Sequence, residues 1–201
     1  MVLFGTGDSF AFAFDESRRL RISAPADQLP LAAFLYTDAQ ADAHTVGQLA
    51  GLLRRAQREA KAWLGNGTSV AFTGDSVVLE SLYGTWPRAV VPQQVFFAAL
   101  ESLHRFLLAS GVTPAETGIT RRASEYRNLK NGRFSFVDHT YFPPDWTPEA
   151  VSAAGTAAWS SPDVLRDPAT GAWSGTFADL EIAGYHDPAT GEVLTYFPVQ
   201  H

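Results

Sequence analysis

The chain has 201 residues, 46% of them hydrophobic and 12% aromatic, enough to bury a core in one large or two small domains. A net charge of -6 leaves nucleic-acid binding only to a locally basic face, and the absence of cysteine excludes disulfides and thiolate metal sites. No apolar run approaches the ~20 residues that span a membrane, and the Met-Val-Leu-Phe opening, with acidic residues soon after and no basic stretch, does not read as a secretory signal.

Phe10, Phe12 and Phe14 alternate with Ala11 and Ala13, and Leu20 and Ile22 continue the period of two after an Asp15-Glu16-Ser17 turn, which predicts a hairpin. Residues 24–45 are mixed, with Pro25 and Pro30 as breakers and a short strand or turn around Leu31–Tyr36. Over 46–64 the spacing of Val46, Leu49, Leu53, Ala56, Ala60, Trp63 and Leu64 predicts an amphipathic helix, capped by Thr45 and stopped by Gly65-Asn66-Gly67. Val70–Phe72, a Gly74-Asp75 turn and Val77–Tyr83 read as a second hairpin. Pro92 then opens a helix whose stripe is Val95, Phe96, Leu100, Leu103 and Leu107, with Gly111 as its C-terminal cap. Residues 1–111 are thus expected to form a compact unit that folds by itself, and 112–118, around Pro114, a linker.

A second unit is expected over 119–201. Arg133–Tyr141 alternates as a strand. Thr147-Pro148-Glu149 carries a cap, a first-turn proline and an acid at the positive end of a helix running to about Trp159. Asp-Pro-Ala-Thr-Gly occurs at 167–171 and again at 187–191, and its turn chemistry predicts two hairpins. The fold class expected is α+β, in two small units, each with antiparallel hairpins packed on helices.

His139-Thr140-Tyr141-Phe142-Pro143-Pro144-Asp145-Trp146-Thr147-Pro148, then Gly184-Tyr185-His186-Asp187 with Thr190-Gly191, then Thr195-Tyr196-Phe197-Pro198, resemble the second half of bacterial EndoU-like endoribonuclease toxin domains over about 134–199. The stretch from Trp63 to Tyr83, with Gly65-Asn66, Val70, Phe72-Thr73-Gly74-Asp75, Val78, Glu80 and Leu82, followed by a helix, resembles the immunity proteins of the same polymorphic-toxin systems. The first resemblance implies metal-independent RNA cleavage by a base, an acid and a phosphate-contacting hydroxyl. The family's paired histidines lie upstream of the Phe-Pro segment, and here 113–138 contains none. Thr195 matches the family's threonine, whereas the family's tyrosine falls on Phe197.

Paired imidazoles suit acid and base work near neutral pH. His44 precedes a helix cap, His104 lies on a helix flank and His201 is terminal, which leaves His139 and His186, with Thr195, as the catalytic candidates. The densest basic stretch, Arg121, Arg122, Arg127, Lys130 and Arg133, is a candidate RNA- or partner-binding patch or else a solvated loop. No cofactor is expected, and no set of residues has metal-ligand spacing. Two readings stay open: a non-catalytic, cytoplasmic immunity or inhibitor component that binds a cognate toxin or immunity protein, and a divergent endoribonuclease delivered to a target cell.

Overall fold

The fold is α+β, as seen in a computed structural model that describes residues 2–111, 116–128 and 130–201. Three sheets surround a buried helix. Strands β1 (Phe4–Thr6), β2 (Ala11–Phe14) and β3 (Leu20–Ala24) form the first, in the order β1-β3-β2, with β2 and β3 as the expected hairpin. After a single 3-10 turn, α1 (Leu29–Phe34) continues as a π-helical turn over Leu35–Ala39. This is a correction to the irregular segment expected over 24–45. Pro30 stands in the first helical turn, where its missing N–H costs nothing, and every residue from Leu31 to Ala39 is buried. A helix buried all round has no amphipathic stripe, so periodicity could not reveal it. Its aromatic rings meet Phe4, Trp63 and Phe96, and the Tyr36 hydroxyl bonds to Glu181.

Helix α2 (Ala43–Arg58) is shorter than its apolar stripe suggests. Asp42, not Thr45, is the cap: its carboxylate accepts the Thr45 N–H at 2.6 Å. Lys61 N–H reaches the Ala56 carbonyl and Ala60 N–H that of Gln57, the Schellman arrangement, with Ala60 at φ 52°. The chain then leaves as β4 (Ala62–Leu64), so Trp63 is buried from a strand rather than from a helix. Strands β5 (Thr68–Thr73), β6 (Ser76–Ser81) and β7 (Ala89–Pro92) follow as a meander, and α3 (Gln93–Ser110) ends on Gly111 at φ 62°.

Strands β8 (Thr120–Arg127) and β9 (Phe134–Tyr141) complete a six-stranded sheet in the order β7-β6-β5-β4-β9-β8. The β4–β9 pairing is parallel, Trp63 opposite Phe136. The sheet is therefore assembled from both sides of the expected 112–118 linker, whose residues 112–115 lie outside the described ones. Helix α4 (Pro148–Trp159), capped by Thr147 as its sequence indicates, packs on the four-stranded meander of β10 (Leu165–Arg166), β11 (Ala172–Phe177), β12 (Leu180–His186) and β13 (Val193–Pro198). The two Asp-Pro-Ala-Thr-Gly segments make two of the three turns of this meander, β10–β11 and β12–β13. One hydrophobic core runs from Leu3 through α1, Trp63 and Phe96 to Leu165, Tyr185 and Val199, and a smaller one lies under α4 around Trp173 and Ile182. Residues of the second expected unit thus share the core of the first.

Candidate functional site

The five basic residues singled out in the sequence lie on the β8–β9 ribbon and its connecting turn. Antiparallel pairing places directly opposite residues on one face. The core-side row pairs Arg121 with Thr140, Ala123 with Asp138, Glu125 with Phe136 and Arg127 with Phe134. The outer row pairs Thr120 with Tyr141, Arg122 with His139, Ser124 with Val137 and Tyr126 with Ser135. Phe136, Asp138 and Thr140 are buried, which fixes the register, because a slip of one residue would bury the outer row instead. Of the stretch expected as either a patch or a loop, Arg121, Arg122 and Arg127 stand on a strand at the edge of the sheet, seven of whose eight residues are exposed, and Lys130 and Arg133 stand in its turn.

The cations have unequal roles. Arg121 turns inward. Its Nε and Nη2 bond both Asp138 oxygens at 3.0 and 3.1 Å, and Nη2 and Nη1 also reach the carbonyls of Asp38 and Ala39 at 2.7 and 3.2 Å. A buried pair broken on one side strands the other charge, at about 3–5 kcal/mol, so Arg121 fastens the ribbon to the end of the π turn rather than facing a partner. Arg122 lies over the Tyr141 ring and Arg127 over the Phe134 ring, each 5.4 Å from the centroid. Lys130 and Arg133 are exposed in the turn, where Asn128 and Asn131 side chains accept their backbone N–H groups at 2.9 and 3.0 Å.

The catalytic candidates are distributed over two sheets. His139, on β9, is half-buried beside Arg122 and edge-on to Tyr141. Burial pulls its pKa below the usual imidazole value, with the Arg121 charge adding to this and Asp138 opposing it. His186 closes β12 and is buried, its ring 5.2 Å from that of Trp159, and its Nδ1 is enclosed without a hydrogen-bond partner. Burial lowers its pKa also. Thr195 stands on β13 opposite Tyr185 and is half-buried. The other three histidines have separate surroundings: His44 bonds Gln48 at 2.8 Å, His104 lies against Gly47, and His201 Nε2 stands 2.9 Å from Glu181 Oε2 at an ion-pair distance without hydrogen-bond alignment.

Behind the ribbon lies a buried polar hub that sequence reasoning missed. Asn66 accepts the Thr140 N–H at 3.0 Å and donates to the Thr37 carbonyl and the Thr140 hydroxyl. Asp38 accepts the Gly67 N–H at 2.9 Å and the Thr37 hydroxyl at 2.9 Å, and the Tyr185 hydroxyl lies 3.1 Å from that of Thr37. Burial pushes the Asp38 carboxyl up to about 6 despite those bonds. Gln40, at φ 67° and ψ -164°, occupies a region that glycine alone adopts freely, and its side chain holds it there through Thr37, Thr140, Pro198 and Gln200. The only advance signal for this hub was the Gly65-Asn66-Gly67 triplet, where a Cβ at Gly67 would overlap the Tyr185 ring.

Two clefts flank the ribbon. One of about 660 Å³ opens at its turn between Lys61, Phe72, Asn128, Asn131, Arg133 and Phe134. The other, of about 550 Å³, lies at its opposite end against His44, Gln48, Glu116, Arg121 and His201. Among the described residues, no group of three or more His, Asp or Glu side chains is arranged to hold a metal, and no helix is long and apolar enough to cross a membrane. No family model, no curated protein and no solved structure matches this chain.

Proposed function

We propose that this chain is a non-catalytic partner-binding protein of the immunity or inhibitor type, which meets its partner through the β8–β9 ribbon. The observation that carries the reading is the burial of His186. With its ring against Trp159 it is 7% exposed and its Nδ1 is enclosed, and His139 has no second imidazole in ring contact among the described residues. An acid and a base must both reach one substrate, and a half-buried histidine whose proton affinity is lowered supplies at most one of them. The ribbon carries the features of a docking surface instead: an exposed edge strand with cations held on aromatic rings. In this role the protein would act in the cytoplasm on a cognate toxin. The test is incubation of purified protein with total RNA in EDTA. Intact RNA is expected, and products ending in 2′,3′-cyclic phosphate would overturn the reading.

The pairing of His139 with Arg122 favours the second reading, a divergent endoribonuclease, more than any other feature does. That reading requires cleavage that falls by roughly 10²-fold or more in His139→Ala, the scale of a lost general acid or base, while the fold stays intact by circular dichroism.

A further inference from the structure

We propose that β8 accepts an extended acidic segment of a protein partner as an additional strand of the six-stranded sheet. The proposal rests on the partner-binding reading and names the partner's chemistry. Strand β8 ends the sheet order, and among the described residues no strand pairs with its outer edge. A row of backbone N–H and C=O groups therefore faces outward, the template that strand addition uses. Eight residues extend about 26 Å at 3.3 Å each, longer than an average strand needs.

Charge selects the occupant. Arg122 and Arg127 on the strand and Lys130 and Arg133 beside it lie in a chain whose net charge is -6. The single carboxylate on β8, Glu125, is already held by Lys61. A second copy of this chain would bring the same cations against them, so like charges oppose self-pairing. RNA would satisfy the cations but would leave the peptide groups of the edge unused. An acidic strand satisfies both. Arg122 and Arg127 point to opposite faces, as their partners His139 and Phe134 do. The incoming strand then needs carboxylates five positions apart, with an apolar or β-branched residue beside Tyr126, which is exposed in the outer row. Stacking of both guanidinium groups on tyrosine and phenylalanine rings holds them in place before the partner arrives.

The experiment is an amide NMR titration of the full chain with an eight-residue peptide of valine and threonine bearing glutamates at its second and seventh positions. The same peptide with lysines and an eight-nucleotide oligouridylate are titrated in parallel. The expected result is shifts confined to residues 120–127 and their neighbours on β9, slowed hydrogen exchange of outward β8 amides, and affinity at least roughly tenfold weaker in the folded Arg122→Glu/Arg127→Glu variant. Equal binding of the lysine peptide, shifts on another surface, no binding, or tighter binding of the oligouridylate at the ribbon would each overturn the proposal. Absence of peptide binding with RNA left intact removes strand addition alone. RNA cleavage removes the partner-binding reading beneath it.

Discussion

Replacing Asp38 with asparagine tests the polar hub directly. The side chain is fully buried, and its carboxyl is pushed up from 3.8 to about 6 chiefly by the loss of water. The unfolded chain therefore releases this proton earlier than the folded one. Between about pH 4 and 6 the folded state binds more protons, so stability falls as pH rises through that window and stays lower above it. At 1.36 kcal/mol per pH unit the displacement is worth about 3 kcal/mol. The substituted amide would keep an acceptor for the Gly67 N–H, and its NH₂ group would donate to the Thr37 hydroxyl once that hydroxyl turns its proton from Asp38 wholly to the Ala33 carbonyl, 2.8 Å away. Asp38→Asn is thus expected to change stability little at pH 4 and to raise it by up to about 3 kcal/mol at pH 7.5. Urea titrations of both proteins at the two pH values isolate the effect, because other ionising groups cancel in the difference. A pH-independent difference would refute the argument, and so would a variant whose stability relative to the parent is lower at pH 7.5 than at pH 4. Either result would mean that Gly67, Thr37 and Arg121 compensate the buried charge in full.

A fragment of residues 1–112 loses β9 from beside β4 and loses Leu165, Tyr185, Phe197 and Val199 from the core, so it is expected to lack a cooperative thermal transition; a sharp one by circular dichroism would refute the shared core. Gly175→Ala would drive a Cβ into the Ala158 carbonyl where α4 packs on β11, a backbone clash expected to cost about 3 kcal/mol and to lower Tm by roughly 6–12 °C; an unchanged melting curve would sink that account. His201 is held charged against Glu181, its pKa raised and that of Glu181 lowered. The stability this gives is full below pH 6.5 and is lost as pH rises through the raised value. His201→Ala should accordingly lower the urea midpoint at pH 5.5 and much less at pH 9, and an equal loss at both would point to packing rather than charge.

Features encoded by near neighbours were legible in the sequence. The Phe10–Phe14 alternation, Thr147-Pro148 at the start of α4, Gly111 at the end of α3 and both Asp-Pro-Ala-Thr-Gly turns each act within a few residues, and each stands where its chemistry indicates. What distant partners decide was not legible. Trp63 fits the helical stripe of α2 as well as it fits a strand, and only pairing with Phe136 and Val70 settles it. Leu31–Tyr36 carries no polar face because sheets and helices enclose it on every side. The alternation of β8 is masked by charge, since its inward Arg121 finds a buried carboxylate instead of an apolar neighbour. The histidines were legible as residue types but not as environments, so His139 and His186 looked equivalent until burial separated them.

The parallel pairing of β4 with β9 also sets a clock on biosynthesis. Ala62 and Ser135 lie about seventy positions apart, so a ribosome adding 5–20 residues per second reaches the second roughly 4–15 s after the first. Through that interval the nascent chain holds an unfinished sheet whose Trp63 strand has β5 on one side and nothing on the other. Closing so long a loop is also intrinsically slow. The free edge of β4 is therefore open to other strands until β9 emerges, an exposure that the stability of the finished fold does not shorten.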